Sequence, residues 1–343
     1  MIIIAAGLPC ALYEWGSLAF RHINSRSGLR FPLQSVRVHE DLEAPENGNA
    51  IFFSQTPNDA LARLARDPNT RVVVFSQDGV SSVDFVINQS NLPFLTALRQ
   101  VSLSAALIQS NLVQTCRPVD IHDVDPEQSR DMIDWIGKLL GASLSPSDID
   151  FVLDKTGPAP NPNTSPSASI GAAEIQIIEQ VLGPSCDHLC AQGQQSVTWP
   201  HNVLTRQPVK EVEQITAPEM AIDLTGPSRI VLTGPHFHLA RGKWAGSVVI
   251  GFTKDAGGTP LSLTLWHPSK EPETLKKVNF KPDAGGVYGF SFTFDVTEPH
   301  KPIEALLRSE RGAIDGRFAL AKIEFSPLET IGHDGQVMTR AVP

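Results

Sequence analysis

The chain has 343 residues, 41% hydrophobic and 19% charged, a balance that excludes wholesale disorder and, at this length, predicts two domains. The formal net charge of −9 sits in the first half, where residues 1–195 hold 12 basic against 21 acidic side chains and the rest holds 16 of each. Without clustered basic residues a nucleic-acid partner is excluded.

The longest apolar run, Met1–Leu12, is broken by Gly7 and Pro9 and is too short for a membrane helix. No basic residue precedes it, so a secretory signal is not expected either. Four cysteines in a chain this long make no disulfide framework, and free thiols fit a cytoplasmic setting.

Ile2–Ala6 reads as a short buried strand, and residues 10–23 as a helix with Leu12, Trp15, Leu18, Ala19 and His22 three or four apart. Ala50–Phe53 and Arg71–Phe75 are apolar runs suited to buried parallel strands, with a helix over Asn58–Arg66 between them. Asn91–Leu112 predicts one or two helices. Asp125-Pro126-Glu127 opens another, with an acidic N-cap, proline in the first turn and a stripe of Met132, Ile133, Ile136, Leu139 and Leu140.

Residues 157–169 carry four prolines and no large apolar side chain, which predicts a loop. Ala172–Cys190 reads as an amphipathic helix with Ile175, Ile178, Val181 and Leu182 on one face, kinked or divided at Pro184. This alternation predicts an α/β domain with a mostly parallel sheet over residues 1–195.

Residues 196–222 are expected to be a linker. Beyond them come short β-rich runs at Arg229–Leu232, His236–Leu239, Ser247–Phe252, Leu261–Trp266, Lys276–Phe280, Val287–Val296, Glu304–Arg308 and Phe318–Phe325. Gly, Pro and Asp punctuate them. About eight strands at this spacing predict an all-β sandwich or jelly roll over residues 223–330, followed by a loose tail at 331–343.

The opening segment, Ile2 to Trp15, resembles the first strand and phosphate loop of the P-loop sulfotransferases. That family runs from a strand into Gly-x-Pro-Arg-Ser-Gly-[Ser/Thr]-Thr-Trp, and here Gly7, Pro9 and Trp15 fall in register. Ile51–Pro57 is similar to the family's second strand and Val72–Gly79 to its third. Asp125–Ile149 is similar to its late helix and following turn. The resemblance covers about residues 1–155, at most to 190, and implies a P-loop α/β fold that cradles 3′-phosphoadenosine 5′-phosphosulfate.

The loop departs from that pattern at the residues that carry charge. A phosphate loop aims backbone N–H groups at the anion and neutralises it with a basic side chain. Cys10 stands where the family has the basic residue, Ala11 where it has serine, and Leu12 where it has glycine. Tyr13 and Glu14 replace the two hydroxyl residues, and no Lys or Arg lies within residues 1–20. Gln77 and Phe85 stand at the 3′-phosphate positions and Thr56 at the catalytic histidine position. Each lost charged contact costs about 1.5–3 kcal/mol. The loop therefore reads as vestigial, with no cofactor and no catalytic residue expected.

Other candidates are weaker. Cys186-Asp187-His188-Leu189-Cys190 offers too few ligands for zinc, so no metal is expected. Cys10 is expected to be a buried thiol rather than a nucleophile.

In the β-half, His236 and His238 alternate with apolar residues and should point away from the core. With Trp244, Trp266 and Tyr288 they form a candidate carbohydrate site, since aromatic rings beside polar groups make platforms for sugar faces. The alternative is that two or three of Trp244, Trp266, His267 and Tyr288 are core. Arg308–Arg317 reads as an ion-paired turn. Gly234–Leu239 with Gly242-Lys243-Trp244 resembles the β-domains attached to bacterial glycosyltransferases and polysaccharide-synthesis proteins.

The expected function is thus non-catalytic: a degenerate sulfotransferase-like domain fused to a sandwich that binds a carbohydrate or partner protein, in bacterial surface-polysaccharide synthesis. One alternative is a divergent transferase using Ser17, Asp78, Ser81 and Ser82. Another is a structural subunit that homo-oligomerises through sandwich edges or the 172–190 helix.

Overall fold

The computed structural model describes residues 1–40, 42, 48–161, 170–191, 194–206, 221–328 and 338–340. The chain divides into two compact units, Met1–Gln194 and Gln195–Pro343.

The first unit is built on five parallel strands: β1 (Ile2–Gly7), β2 (Leu33–Ser35), β3 (Ala50–Ser54), β4 (Thr70–Ser76) and β5 (Val119–His122), in the order β2-β3-β1-β4-β5. Unbroken apolar runs make strands buried on both faces, as Ile4 between Phe52 and Val72 illustrates. Around the sheet lie α1 (Ala11–Arg26), α2 (Asp59–Ala65), α3 (Gly79–Ser90), α4 (Phe94–Ile108), α5 (Ser129–Leu139), α6 (Pro146–Thr156), α7 (Ala172–Val181) and α8 (Gly183–Asp187). A π turn, Gln109–Val113, extends α4.

Several elements differ from the sequence reading. Helix α3 was not anticipated; its signal is the N-cap Asp78, which accepts from the Ser81 N–H at 2.9 Å and the Ser81 hydroxyl at 2.6 Å. Asp125 makes no side-chain cap. A 3₁₀ turn, Pro126–Gln128, intervenes before α5. Ser145 and Asp148 form a capping box that opens α6 where a turn was expected. The 172–190 helix is divided, α7 ending at Val181 before Pro184. Ile177, rather than Ile175, is buried beside Ile178 and Val181. Residues 162–169 of the expected loop lie outside the described residues.

The second unit is an antiparallel β-sandwich with strands β6 (Val197–Pro200), β7 (Thr205–Arg206), β8 (Ile222–Asp223), β9 (Arg229–Phe237), β10 (Gly242–Phe252), β11 (Leu261–His267), β12 (Glu273–Phe280), β13 (Gly286–Val296), β14 (Ile303–Ser309), β15 (Arg317–Pro327) and β16 (Met338–Arg340). One sheet runs β16-β13-β10-β15-β6, with β8 also on β15; the other runs β12-β11-β14-β9-β7. Alternation decides the faces: on β13, Tyr288, Phe290, Phe292, Phe294 and Val296 are buried while Val287, Ser291 and Asp295 are exposed.

The inner faces meet through edge-to-face and tilted aromatic pairs such as Trp199–Phe237 at 5.9 Å and Phe280–Phe290 at 4.7 Å. Gly246 lets β10 pass beneath Phe292, whose ring atoms come within 2.3 Å of where a Cβ would sit.

The expected linker is partly sheet. β6, β7 and the start of β8 lie within 196–222, while residues 207–220 lie outside the described residues. The runs 229–232 and 236–239 are largely one strand, β9, continuous through Gly234-Pro235 to Phe237. Within the expected tail, Met338–Arg340 pairs with Tyr288–Phe290; 331–337 and 341–343 lie outside the described residues.

Candidate functional site

In an open parallel sheet, ligands sit at the carboxyl ends of strands where the chain order reverses, here between β1 and β4. That position is tightly packed. The Leu8 N–H donates to the Phe75 carbonyl at 3.1 Å. A Cβ on Gly7 would lie 2.5 Å from the Phe75 carbonyl oxygen and 2.7 Å from the Tyr13 ring. Leu8, Pro9, Cys10, Leu12 and Tyr13 are buried, Ala11 is half-buried, and Glu14 is exposed.

At the N-terminus of α1 the Leu12 N–H donates to Oε1 of Gln77, 3.2 Å away and only 4% exposed. The dipole end that would face an anion therefore meets an internal amide oxygen. Burial pushes the Cys10 thiol up to about 12, which keeps it protonated. Glu14 accepts from Gln55 Nε2 at 3.5 Å, Phe85 lies half-buried on α3, and Thr56 is half-buried beyond β3.

Asp78, Asp123 and Asp187 lie close enough together for their charges to act on one another. Burial, with the charges of Asp78 and Asp187, raises Asp123; burial and then Asp78 raise Asp187. Ser76, His122 and Asp123 form a chain not read from the sequence: Ser76 Oγ lies 3.0 Å from His122 Nδ1, and His122 Nε2 lies 2.9 Å from Asp123 Oδ2. The order resembles a nucleophile, base and acid. Ser76 is 1% exposed, however, and its hydroxyl also reaches Asp120 at 3.4 Å, so no substrate carbonyl meets it in this conformation.

The residues of the transferase alternative do not form an open polar group. Ser17 and Ser82 are buried, and Asp78 and Ser81 bond each other. Cys186 is buried and its thiol raised by that burial. Among the described residues no group of three His, Cys, Asp or Glu side chains is placed to hold a metal, and no helix is long and apolar enough to cross a membrane.

In the sandwich, two sequence candidates prove to be core. Trp244 is 2% exposed and its indole N–H donates to the Ala240 carbonyl at 2.9 Å. Tyr288 is 5% exposed and its hydroxyl donates to the Ala284 carbonyl at 2.8 Å. Neither ring offers a face, because each lies in phase with the buried residues of its strand.

His238 lies just past β9, where its Nδ1 faces the Pro299 carbonyl at 3.0 Å. A carbonyl only accepts, so Nδ1 carries the proton. Burial holds this imidazole down at about 4.

Trp266 is different. It lies in phase with Ser262 and Thr264, on the side of β11 turned away from the sandwich core, and is half-buried. Its indole N–H donates to Glu304 Oε2 at 2.8 Å, across the directly opposed pair of β11 and β14. Glu304, 6% exposed, also accepts from the Thr233 hydroxyl, and its Oε1 lies 3.6 Å from His236 Nε2.

A bulge creates this last approach. Ile303 pairs with Phe237 and Glu304 with Pro235, leaving His236 as the extra residue, with φ of 66°. Bulges of this kind re-aim a side chain. Nearby, the Ser262 hydroxyl at 2.6 Å and the Lys277 ammonium at 3.1 Å hold the Glu310 carboxyl below its usual range.

The result is a sheet face with one indole fixed by its polar edge, surrounded by hydroxyls and paired charges. Of the predicted sandwich residues, the structure brings together Trp266 and His236. Thr233 and Glu304 were missed.

No family model and no curated protein matches the chain. Solved structures similar to it include the carbohydrate-binding module CBM4, at 8% identity over 35% of this chain and 82% of that one, TM-score 0.24. Another is TmCBM61 in complex with β-1,4-galactotriose, at 10% identity over 39% and 88%, TM-score 0.25. A third is the C-terminal CBM6 of LamC from Zobellia galactanivorans, at 11% identity over 38% and 98%, TM-score 0.25.

Proposed function

We propose that the second unit binds carbohydrate on the outward face of β11, β14 and β9, and that the first unit is a sulfotransferase-like domain without donor binding. The observation that supports the binding half is the Trp266–Glu304 pair. The half-buried indole is held in its plane by a hydrogen bond to the buried Glu304 carboxyl, so its ring edge is fixed among polar groups. A rigid ring beside hydroxyls and charges suits a sugar, which presents an apolar C–H face and a polar rim.

The supporting observation for the first unit is the Leu12–Gln77 hydrogen bond, which occupies the helix terminus that a phosphate would need. The acidic groups Asp78, Asp123 and Asp187 add repulsion. The setting we infer from the resemblance of the β-half is surface-polysaccharide synthesis.

A glycan array probed with the full chain and with Trp266→Ala tests the binding half. The expected result is retention of the wild type on a set of glycans and loss of that signal in the variant. An array that stays blank, or a variant that binds as well as the wild type, overturns the reading.

A further inference from the structure

The chemistry of the Trp266 face narrows what it takes. We infer that the site accepts one or two uncharged pyranose rings, and that additional sugar units beyond these make no further contact with it. This inference rests on the carbohydrate reading given above.

On this side of the sheet β11 carries Ser262, Thr264 and Trp266 and the opposed β14 carries Glu304, Leu306 and Arg308; Ser262 and Glu304 are buried, so Thr264, Trp266, Leu306 and Arg308 are the ones that reach the surface. Among the described residues of β9, β11, β12 and β14, Trp266 is the one Phe, Tyr or Trp ring on this side; Phe237 and Phe280 are buried on the other. A long glycan gains affinity by stacking successive rings on successive platforms, as single strands of nucleic acid do on aromatic residues. One platform holds one ring and reaches the polar groups of its neighbour.

Charge selects among sugars as well. Glu304 is ionisable, buried and held by two neutral donors, the Trp266 N–H and the Thr233 hydroxyl, with His236 at 3.6 Å. Glu310 is paired with Lys277, and Arg308 acts on the same carboxylate. Lys277 is thus paired with a carboxylate of this face, while the exposed Arg308 acts on it only at longer range. A uronate or sulfated sugar would set its own negative charge beside Glu304 and Glu310, where like charges raise the cost of association. A neutral sugar meets acceptors and hydroxyls without that cost.

Calorimetric titration of the full chain tests this with neutral gluco-, galacto- and manno-oligosaccharides of two and six units, and with uronate-containing disaccharides. The expected result is a hexasaccharide less than tenfold tighter than its disaccharide, because the number of binding registers on the longer chain supplies the only gain. Every uronate disaccharide is expected to bind more weakly than the best neutral one.

A gain of tenfold or more with length overturns the inference on size, and a uronate that binds as tightly as the best neutral disaccharide overturns the inference on charge. In both cases the carbohydrate reading survives. If no sugar gives heat while the chain remains folded by circular dichroism, the carbohydrate reading itself fails and takes the inference with it.

Discussion

The Trp266 indole N–H reaches Glu304 Oε2 at 2.8 Å across two directly opposed positions of β11 and β14. The pair joins sheet register to the proposed sugar site. Register places both side chains on the outward face, and the buried carboxylate turns a flexible indole into a fixed plane. Replacing Trp266 with Ala removes that plane. Sugar affinity of the folded protein is expected to fall by at least tenfold, about 1.4 kcal/mol, and because Glu304 loses a donor the melting temperature is expected to fall as well. Calorimetry beside thermal unfolding reads both.

Glu304 is a positioning residue in this scheme. Glu304→Ala leaves the Trp266 N–H and the Thr233 hydroxyl without their acceptor and is expected to cost about 1–3 kcal/mol of stability as well as affinity. Glu304→Gln keeps one acceptor oxygen and is expected to retain more of both. Equal losses in the two variants would mean that charge, rather than hydrogen bonding, fixes the ring.

Trp244 provides the contrast. Its ring is core, so Trp244→Ala is expected to destabilise the second unit by about 3–5 kcal/mol. Any loss of sugar binding should track the unfolded fraction in denaturant titrations and vanish when folded protein alone is counted.

In the first unit, Gly7→Ala places a Cβ 2.5 Å from a backbone oxygen of the adjacent strand, where little can yield. The expected cost is more than about 3 kcal/mol. Gln77→Ala frees the Leu12 N–H and is expected to cost about 1 kcal/mol without creating affinity for the phosphosulfate donor. Micromolar donor binding by the wild-type chain would overturn the account of this unit.

Acid should loosen the sandwich at His238. Burial depresses its folded-state pKa to about 4, against about 6.5 in the unfolded chain. Above pH 6.5 both states are neutral and the full stability is present. As pH falls from 6.5 towards 4, the unfolded state takes up a proton that the folded state refuses, so stability is lost across that window, on the order of 3 kcal/mol. Urea midpoints of wild type and His238→Gln, measured between pH 7 and 4, check this; the variant is expected to lose less.

Much of this was legible before the structure. Ile2–Ala6, Ala50–Phe53 and Arg71–Phe75 announce buried parallel strands through unbroken apolar runs, and β13 announces its faces by strict alternation. The same parity separates the aromatic candidates: Trp244 is in phase with Val248, Ile250 and Phe252, Tyr288 with Phe290 and Phe292, and Trp266 with Ser262 and Thr264. Counting by twos would have assigned the first two to the core.

Other features carry no such signal. Helix α3 holds three Ser and four β-branched residues, none of them strong helix formers, and its start rests on a capping contact. The approach of His236 to Glu304 needs a bulge, whose extra residue shifts phase without marking the sequence. Glu304 by itself reads as one more charged strand residue; its burial follows from three partners that come from β9 and β11.

The central claim, that sugar stacks on Trp266, is tested most directly by following the indole N–H resonances of the five tryptophans as a bound oligosaccharide is titrated in. The Trp266 resonance, assigned by its disappearance in Trp266→Phe, is predicted to shift saturably while that of Trp244 stays in place. Saturable shifts confined to the other tryptophans, with Trp266 unmoved, would contradict it.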